Sequence, residues 1–500
     1  MRGVIIATLL LLLLCHGTGF SQELLNSFPL SLKKEKDVFQ ITDKETHNIT
    51  FFVSDNKKVK AILLDQNMHI KDSITTVSPK SSNYSNMIGY NKSNGNIRLF
   101  WASEDFKNIY AQSFNFMSKK IEGVTQQLPL INEKVLGNFS ENNKLYLLTI
   151  VEKTSMLKLY IFDENFIIRA YAIDLKEQKF YNEHFKLSPL YDNVLSAEFG
   201  ATQIVNLDVP SRLSGAANRR KIYSNKKEIT ITLDHNINFT QLILIDLATL
   251  KTEVSLITMP FIEDSDPQNT KTNSFLFENT IYQVKLTRKK MKIDLKDLNG
   301  RLIKEYMIND SIDLGFKNAK KLKTGNDYGR DQIIEKPSQF LSEIYNKNLS
   351  INCVKYTNDY CLTFGAVPVI NTSQSYHNFN MMSTMRQNMM PQNTMNMQMQ
   401  IKNFGGRSGP SPQYSEQLLF LQKPFNPFST PEEVYCSVIL DAEGNILDRN
   451  TDDFIVNKLG EFYNRLENIS TETLFKVDHN YYLGYYDTKN KEYIIRKFAD

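Results

Sequence analysis

Residues 158–163 read Lys-Leu-Tyr-Ile-Phe-Asp, a short apolar run that ends in an aspartate. A few polar residues follow this run, and the chain then returns as another apolar stretch. The aspartate suits its position because its carboxylate accepts hydrogen bonds from backbone NH groups of the turn that it begins. Similar units end at Asp65, Asn115, Asp246, Asp297, Asp441 and Asp487. The recurrence predicts a chain built from repeated β-hairpins.

The units follow each other at nearly constant intervals. The intervals are 50 residues from 65 to 115, 48 from 115 to 163, 51 from 246 to 297 and 46 from 441 to 487. The longer step from 163 to 246 carries extra chain, and the step from 297 to 441 has room for two units and an insertion. Repeats of about 45 to 50 residues with about four strands are typical of propeller blades, because a small sheet cannot bury both faces alone.

We therefore predict an all-β fold, a β-propeller of about seven four-stranded blades, with six to eight as the range. Tandem β-sandwich domains are the alternative. Short helices are expected to interrupt the strands at 337–345 and 452–466, where apolar residues fall along one side.

In repeat spacing and hairpin pattern, the chain resembles uncharacterised secreted β-propeller-like proteins of Gram-negative bacteria. The resemblance covers most of residues 45–500. These units contain no kelch Gly-Gly pair, no Trp-Asp repeat and no sialidase Asp-box. The resemblance therefore implies an architecture, and no functional residue is carried over from it.

The first 21 residues have the three parts of a secretory signal peptide. Arg2 gives a positive start, Val4–Leu14 is almost wholly apolar, and the residues that follow are small and polar. The apolar run is shorter than the roughly 20 residues that span a bilayer as a helix. Gly19 and Ser21 are small residues at the positions that signal cleavage prefers, so we place cleavage after Ser21, with a propeller-like domain over 22–500.

The signal predicts an exported protein, either periplasmic, outer-membrane-associated or secreted. A retained membrane anchor is one alternative. A lipid on Cys15 is another, although lipidation would favour a small residue in place of Leu14. No later stretch is apolar for long enough to form a transmembrane segment.

The charges of the chain are nearly balanced, with 59 Lys and Arg against 55 Asp and Glu. Binding to nucleic acid needs a concentrated basic face, so nucleic acid is not expected as a partner. Arg219-Arg220-Lys221 is the densest basic cluster, and we interpret it as a solvated loop.

Three cysteines remain after cleavage, too few for a disulfide scaffold. Cys353 and Cys361 lie at equal distances from Thr357, within a predicted turn, so they could face each other across a hairpin and form a disulfide. Buried reduced thiols are the alternative for this pair and for Cys436.

Residues 371–414 differ in composition from the rest of the chain. Eight of the sixteen methionines fall within nineteen positions of this segment, with Asn, Gln and Ser between them. Such a composition predicts a disordered insertion within a blade.

Three interpretations of this insertion stay open. It could be a loop without a site. It could dock a protein partner, because methionine side chains adapt to varied apolar surfaces; the anchors would be Met389, Met390, Met395, Met397 and Met399. It could bind copper, because thioethers select Cu(I); the ligands would be Met381, Met382, Met385, Met395, Met397, Met399 and His377.

The sequence contains no His-x-x-x-His pair, no Gly-x-Ser-x-Gly elbow and no phosphate-binding loop. We therefore expect a non-enzymatic binding or scaffold protein of the cell envelope that docks an envelope or extracellular protein through its loops, without a cofactor. A carbohydrate-active enzyme with carboxylates at a central channel is the first alternative, because such carboxylates leave no linear motif. Periplasmic Cu(I) binding is the second. A small-molecule or glycan ligand is compatible with either class.

Overall fold

The computed structural model describes residues 22–499, except 34–36, 44–45, 56, 80–82, 85, 94, 196–201, 212, 264, 310–320, 325–331, 369–432 and 450–454. The described residues form seven β-sheets, numbered here I to VII. They also form four α-helices and a 3-10 turn at Pro267–Asn269. The helices are α1 (Leu190–Leu195), α2 (Leu213–Ala216), α3 (Pro337–Tyr345) and α4 (Ile455–Asn464).

The strands follow the sheets in chain order, except that the first strand belongs to the last sheet. This first strand is β1 (Gln22–Pro29). Sheet I contains β2 (Asp37–Thr42), β3 (Ile49–Ser54), β4 (Lys58–Leu64) and β5 (Ile70–Val77). Sheet II contains β6 (Asn86–Ser93), β7 (Asn96–Ala102), β8 (Asn108–Asn115) and β9 (Lys120–Gln127). Sheet III contains β10 (Glu133–Glu141), β11 (Lys144–Val151), β12 (Met156–Phe162) and β13 (Ile168–Asp174).

The remaining four sheets depart more from the four-stranded unit. Sheet IV contains β14 (Gln203–Val205), β15 (Arg220–Ser224), β16 (Glu228–Leu233), β17 (Phe239–Asp246) and β18 (Thr252–Thr258). Sheet V contains β19 (Lys271–Phe277), β20 (Thr280–Leu286), β21 (Lys290–Asp297) and β22 (Leu302–Asn309). Sheet VI contains β23 (Lys321–Lys323), β24 (Gln332–Ile333), β25 (Asn348–Tyr356), β26 (Asp359–Val367), β27 (Val434–Leu440) and β28 (Ile446–Leu447). Sheet VII contains β29 (Ile469–Val477), β30 (Asn480–Asp487) and β31 (Glu492–Phe498), together with β1.

The chain is thus all-β with repeated antiparallel sheets, as the repeat predicted. In sheets I, II, III, V and VII, the four strands lie side by side in one order, with a largely buried second strand and the fourth strand the most exposed. The second strand of sheet III, β11, is buried over six successive residues, whereas the fourth strands β5, β9 and β13 are largely exposed. Continuous apolar runs therefore mark strands that are packed on both faces, and alternating or charged runs mark the outer strands.

The aspartates that end the repeats make the turns that the sequence predicted. Asp163 Oδ1 accepts hydrogen bonds of 2.9 Å from the backbone NH groups of both Asn165 and Ile167. Asp297 and Asp441 hold the corresponding turns after β21 and β27 in the same way. The predicted last copy is different, because Asp487 ends the second strand of its sheet and not the third.

Each sheet packs against the next through aromatic side chains. The rings of Phe52 and Phe114 join sheets I and II at 5.1 Å, and those of Phe100 and Phe162 join sheets II and III at 5.4 Å. Similar buried clusters join sheets III to IV, IV to V and V to VI. Cys361 of sheet VI then shares a cluster with sheet VII. Sheet VII packs back on sheet I, where the ring of Phe51 lies 5.5 Å from that of Tyr493.

Sheet VII contains both ends of the described chain. Strand β1 pairs antiparallel with β31, from Gln22 opposite Phe498 to Pro29 opposite Glu492. Phe28 of β1 is only 6% exposed, and its ring lies 5.8 Å from that of Tyr493. The first strand after the predicted signal peptide is therefore a packed part of the fold.

Both predicted helices are confirmed. Helix α3 covers 337–345 as expected and buries Phe340, Leu341 and Ile344. Within the described residues, helix α4 ends at Asn464, two residues before the predicted end at 466, and packs Ile455 and Leu459 into the cluster between sheets VI and VII.

The interpretation of Arg219–Lys221 as a solvated loop is wrong. Arg220 is 1% exposed and Lys221 is fully buried, because β15 begins at Arg220 and lies inside the molecule. The Lys221 ammonium is compensated by Asp234, with 3.4 Å between Nζ and Oδ2, since a buried charge requires a partner.

Candidate functional site

A cavity of about 900 Å³, called the bowl below, opens at one end of the molecule. The residues around it come from sheets I, II, III, IV and VII. They lie near turns between the first and second strands or between the third and fourth strands, and the two kinds of turn meet at the same end of antiparallel sheets. Polar turn residues of separate repeats are thereby brought around one space.

Sheets VII and I form one side of the bowl. The hydroxyl of Thr473 donates a hydrogen bond of 2.9 Å to Oε1 of Gln40, which ties β29 to β2. Lys92, on the neighbouring strand β6, lies with its Nζ 3.2 Å from Oδ2 of Asp43. This pair is 20% and 31% exposed, so both charged groups remain accessible to a ligand.

Sheets II and III approach closely beside the bowl because of Gly89. A Cβ at this position would lie 2.5 Å from Oγ of Ser140, so only glycine allows the contact. The backbone NH of Tyr90 then donates a hydrogen bond of 2.9 Å to the same Oγ. Burial raises the pKa of the Tyr90 phenol. The negative charges that raise it further belong to Glu141, Asp208 and Asp43.

Sheets III and IV form the opposite side. The hydroxyl of Ser224 donates to Oε1 of Glu141 over 3.2 Å. The amide of Asn142 donates to the backbone carbonyl of Lys226 over 2.5 Å. These contacts fix the two turns against each other while the Lys226 and Asn142 side chains stay exposed at the rim.

The bottom of the bowl comes from residues 202–211 and 213–217, called the crossing segment below. This segment belongs to the extra chain between the third and fourth repeats. It starts at β14 beside sheet III, passes Val209 into the cluster between sheets VI and VII, and ends in α2 against sheet VI. Asn206, Asp208 and Val209 face the bowl on the way.

Among the described residues, the lining of the bowl is polar and almost neutral. These residues supply four carboxylates, from Asp43, Glu141, Glu164 and Asp208, and three ammonium groups, from Lys92, Lys226 and Lys476. Amides and hydroxyls supply most other polar groups, and three aromatic rings lie among them, those of Tyr90, Phe116 and Phe475. The rings of Phe116 and Phe475 are only 8% and 2% exposed, so such a lining can hold a ligand mainly by hydrogen bonds.

The methionines proposed as docking anchors or copper ligands, and His377 with them, lie outside the described residues. Among the residues that the structure does describe, no group of three or more His, Cys, Asp or Glu side chains is placed to hold a metal ion.

Of the two alternatives for Cys353 and Cys361, the structure shows buried free thiols and no disulfide. Cys353 and Cys361 lie in adjacent strands of one hairpin, but both are free, buried thiols. The turn has two residues, so Cys353 pairs with Leu362 and Cys361 pairs with Val354. This shift by one residue turns the two thiols to opposite faces of the sheet.

Sequence reasoning did not find the bowl. Its residues occur in short polar stretches such as Ser140-Glu141-Asn142-Asn143, which read as ordinary turns. Only the extra length before Asp246 signalled an added element, and length alone does not indicate where that element lies.

Within the part of the chain that the structure covers, no helix has the length and apolar character needed to cross a membrane. The sequence matches no family model and no curated protein.

Three solved structures illustrate the structural similarity. Hsv2 from Kluyveromyces lactis is 7% identical over 88% of this chain and 87% of its own, with a TM-score of 0.29. A Bacteroides fragilis protein named for its expected export is 10% identical over 84% and 95%, with a TM-score of 0.25. An ACO/RPE65 chimera is 8% identical over 58% of this chain, with a TM-score of 0.28, and the match spans 63% of its own length. Similarities at this level carry no argument about function.

Proposed function

We propose that the seven sheets are the blades of one β-propeller. The packing order supports this, because each sheet contacts the next and sheet VII contacts sheet I. The contrast between buried second strands and exposed fourth strands supports it as well, since the fourth strand of a blade lies at the outside of a ring. Tandem β-sandwiches would instead pack their sheets face to face in pairs.

We propose that the protein is exported and binds an oligosaccharide in the bowl without changing it. The observation that carries this proposal is the lining of a 900 Å³ cavity by amides and hydroxyls with nearly balanced charge among the described residues. Sugars present many hydroxyls, which pair with amide and carboxylate groups. The balance of charges disfavours a strongly anionic polymer.

Titration of the mature protein with neutral tetrasaccharides of glucose and of N-acetylglucosamine tests this proposal by calorimetry. Asp208→Ala and Asn142→Ala remove polar groups from the bottom and the rim, and each is expected to weaken binding about tenfold, the effect of one lost hydrogen bond. Glu122→Ala on the outer strand β9 is the control and should leave the affinity unchanged. Absence of binding, or equal binding by all variants, would reject the bowl as a glycan site.

A carbohydrate-active enzyme is the second candidate. The observation in its favour is the convergence of three carboxylates near the Tyr90 phenol, since glycoside hydrolysis uses paired carboxylates. Incubation of the same tetrasaccharides with the wild-type protein and with Glu141→Gln distinguishes the two functions. Cleavage that the variant abolishes would identify an enzyme, and unchanged ligand after long incubation supports a binding protein.

Docking of an envelope protein through 371–414 remains a separate proposal, as does Cu(I) binding by the same segment. Affinity purification of the tagged protein with and without these residues tests the docking. Metal analysis after loading with Cu(I) tests the copper site.

A further inference from the structure

The crossing segment is held by polar side chains of sheets V and VI. The amide of Asn352 donates to the carbonyl of Ser211 over 2.7 Å, and the hydroxyl of Ser350 donates to the carbonyl of Leu213 over the same distance. Both side chains lie on β25, the first strand of sheet VI, and both are buried. Inner strands usually carry apolar residues, and these two polar side chains instead satisfy backbone carbonyl groups of the crossing segment.

Asn273 is the centre of the hydrogen bonds at the end of the segment. Its amide nitrogen lies 3.2 Å from the carbonyl of Ala216, 3.1 Å from that of Ala217 and 2.7 Å from that of Leu349. Its Oδ1 accepts a hydrogen bond of 2.7 Å from the ammonium of Lys221. One side chain of sheet V thus joins the segment to sheets IV and VI.

The ion pair of Lys221 with Asp234 keeps Asn273 in one orientation. The Lys221 ammonium can only donate, so the Asn273 oxygen must face it and the amide nitrogen must face the carbonyls of the segment. Asp234 is itself fixed, because it accepts from the hydroxyls of Thr240 at 2.7 Å and Ser274 at 2.9 Å. The whole cluster is buried, where hydrogen bonds are strong and unmade ones are costly.

We propose that Asn273 is a positioning residue for the bowl, acting through the crossing segment. This inference rests on the proposed ligand site. Asp208 and Ala216 are eight positions apart, and Val209, Ser211 and Leu213 are each held between them. Loss of the Asn273 anchor leaves the segment held only by β25 and by the cluster around Val209, so the segment that carries the Asn206 and Asp208 side chains should be less well fixed.

The test uses Asn273→Ala, with Asn352→Ala as a second variant in case the first does not fold. Gln283→Ala is the matched control. Gln283 is also a fully buried amide and joins sheets IV and V by donating to Thr240 Oγ1 at 3.0 Å and to the carbonyl of Ile257 at 3.1 Å. Its loss leaves the hydrogen bond from Thr240 to Asp234 in place, and its amide donates to no residue of the segment. A structural effect alone would lower the unfolding midpoint in all three variants.

Hydrogen–deuterium exchange is measured over peptides from 202–217, with and without a neutral tetrasaccharide. In Asn273→Ala and Asn352→Ala we expect exchange in these peptides to rise about tenfold, equivalent to about 1.4 kcal/mol of lost local stability, and affinity to fall by a similar factor. Gln283→Ala should change neither. Unchanged exchange in the folded segment variants, or the same change in Gln283→Ala, would overturn the inference.

A second measurement does not depend on the ligand. Asp208→Cys places a thiol at the bottom of the bowl, and its rate of reaction with a small maleimide reports the position of the segment. Combination with Asn273→Ala should change this rate at least several-fold, and combination with Gln283→Ala should not. If no sugar binds the wild-type protein, the proposed function fails while exchange and labelling still decide the role of Asn273.

Discussion

Removal of the Phe28 side chain tests whether β1 completes the fold. Phe28 is 6% exposed and lies in a buried cluster shared by sheets VII and I. Truncation of such a ring to alanine typically costs 3–5 kcal/mol, since the transfer free energy is lost and a cavity remains. Phe28 keeps a little exposure and lies on an outer strand that can partly relax, so we expect a loss of about 3 kcal/mol for Phe28→Ala.

Leu24→Ala is the matched control, because Leu24 lies on the same strand but is 52% exposed. Its loss should stay below about 0.5 kcal/mol, as for most surface substitutions. Urea unfolding of both variants can be followed by the emission of Trp101, the only tryptophan, which lies two sheets away in sheet II. Unfolding that spreads around a closed ring should be reported by this distant residue.

Equal stability of the two variants would refute the packing of β1 against β31. A loss in Phe28→Ala that circular dichroism detects and Trp101 does not would refute the cooperative ring, because sheet II would then unfold independently of sheet VII.

Three further outcomes follow from buried groups. Burial lowers the pKa of Lys221 from 10.5 to about 8, so between these pH values the unfolded chain binds more protons than the folded one. The free energy of unfolding should therefore rise with pH by up to about 3 kcal/mol, and urea titrations of Lys221→Met should lack this rise. Gly365→Ala should lower the free energy of unfolding by well over 3 kcal/mol in thermal or urea unfolding, because its Cβ would lie 2.0 Å from the carbonyl oxygen of Val434. The control Gly95→Ala meets no atom within 4 Å and should lose only about 1 kcal/mol from its positive φ. Similar losses in the two variants would contradict the packing of β26 on β27. Burial raises the pKa of the Cys361 thiol to about 11, so the mature protein should expose no reactive thiol in buffer and three in denaturing urea. A single reactive thiol in urea would mean that Cys353 and Cys361 form a disulfide.

The sequence predicted those parts of the fold whose signal is local. Apolar runs such as Leu145–Ile150 became strands, Asp163 and its counterparts became turns, and the apolar side of 337–345 became a helix. Each of these outcomes depends on residues within one or two turns of each other, where side-chain spacing and backbone hydrogen bonding decide the structure.

Features that depend on distant pairing were missed or misplaced. The unit ending at Asp487 looked like the earlier ones, yet its fourth strand comes from residues 22–29, which no local pattern reveals. Cys353 and Cys361 do not face each other because the turn between β25 and β26 has two residues, which shifts the strand register by one residue. The crossing segment was missed because β14 and α2 have only three and four residues, too short for a period to appear.

The hydrogen bond from Ser27 to Glu492 joins residues that are 465 positions apart. Sheet VII therefore cannot assemble until nearly the whole chain has been synthesised, and its closure carries the entropy of the longest loop that the molecule contains. Until β31 has been synthesised, β1 has no strand to pair with, and its Phe28 side chain has no cluster to enter. Chains that end before β31 should thus be cleaved by proteases more readily than chains that contain this seven-residue strand.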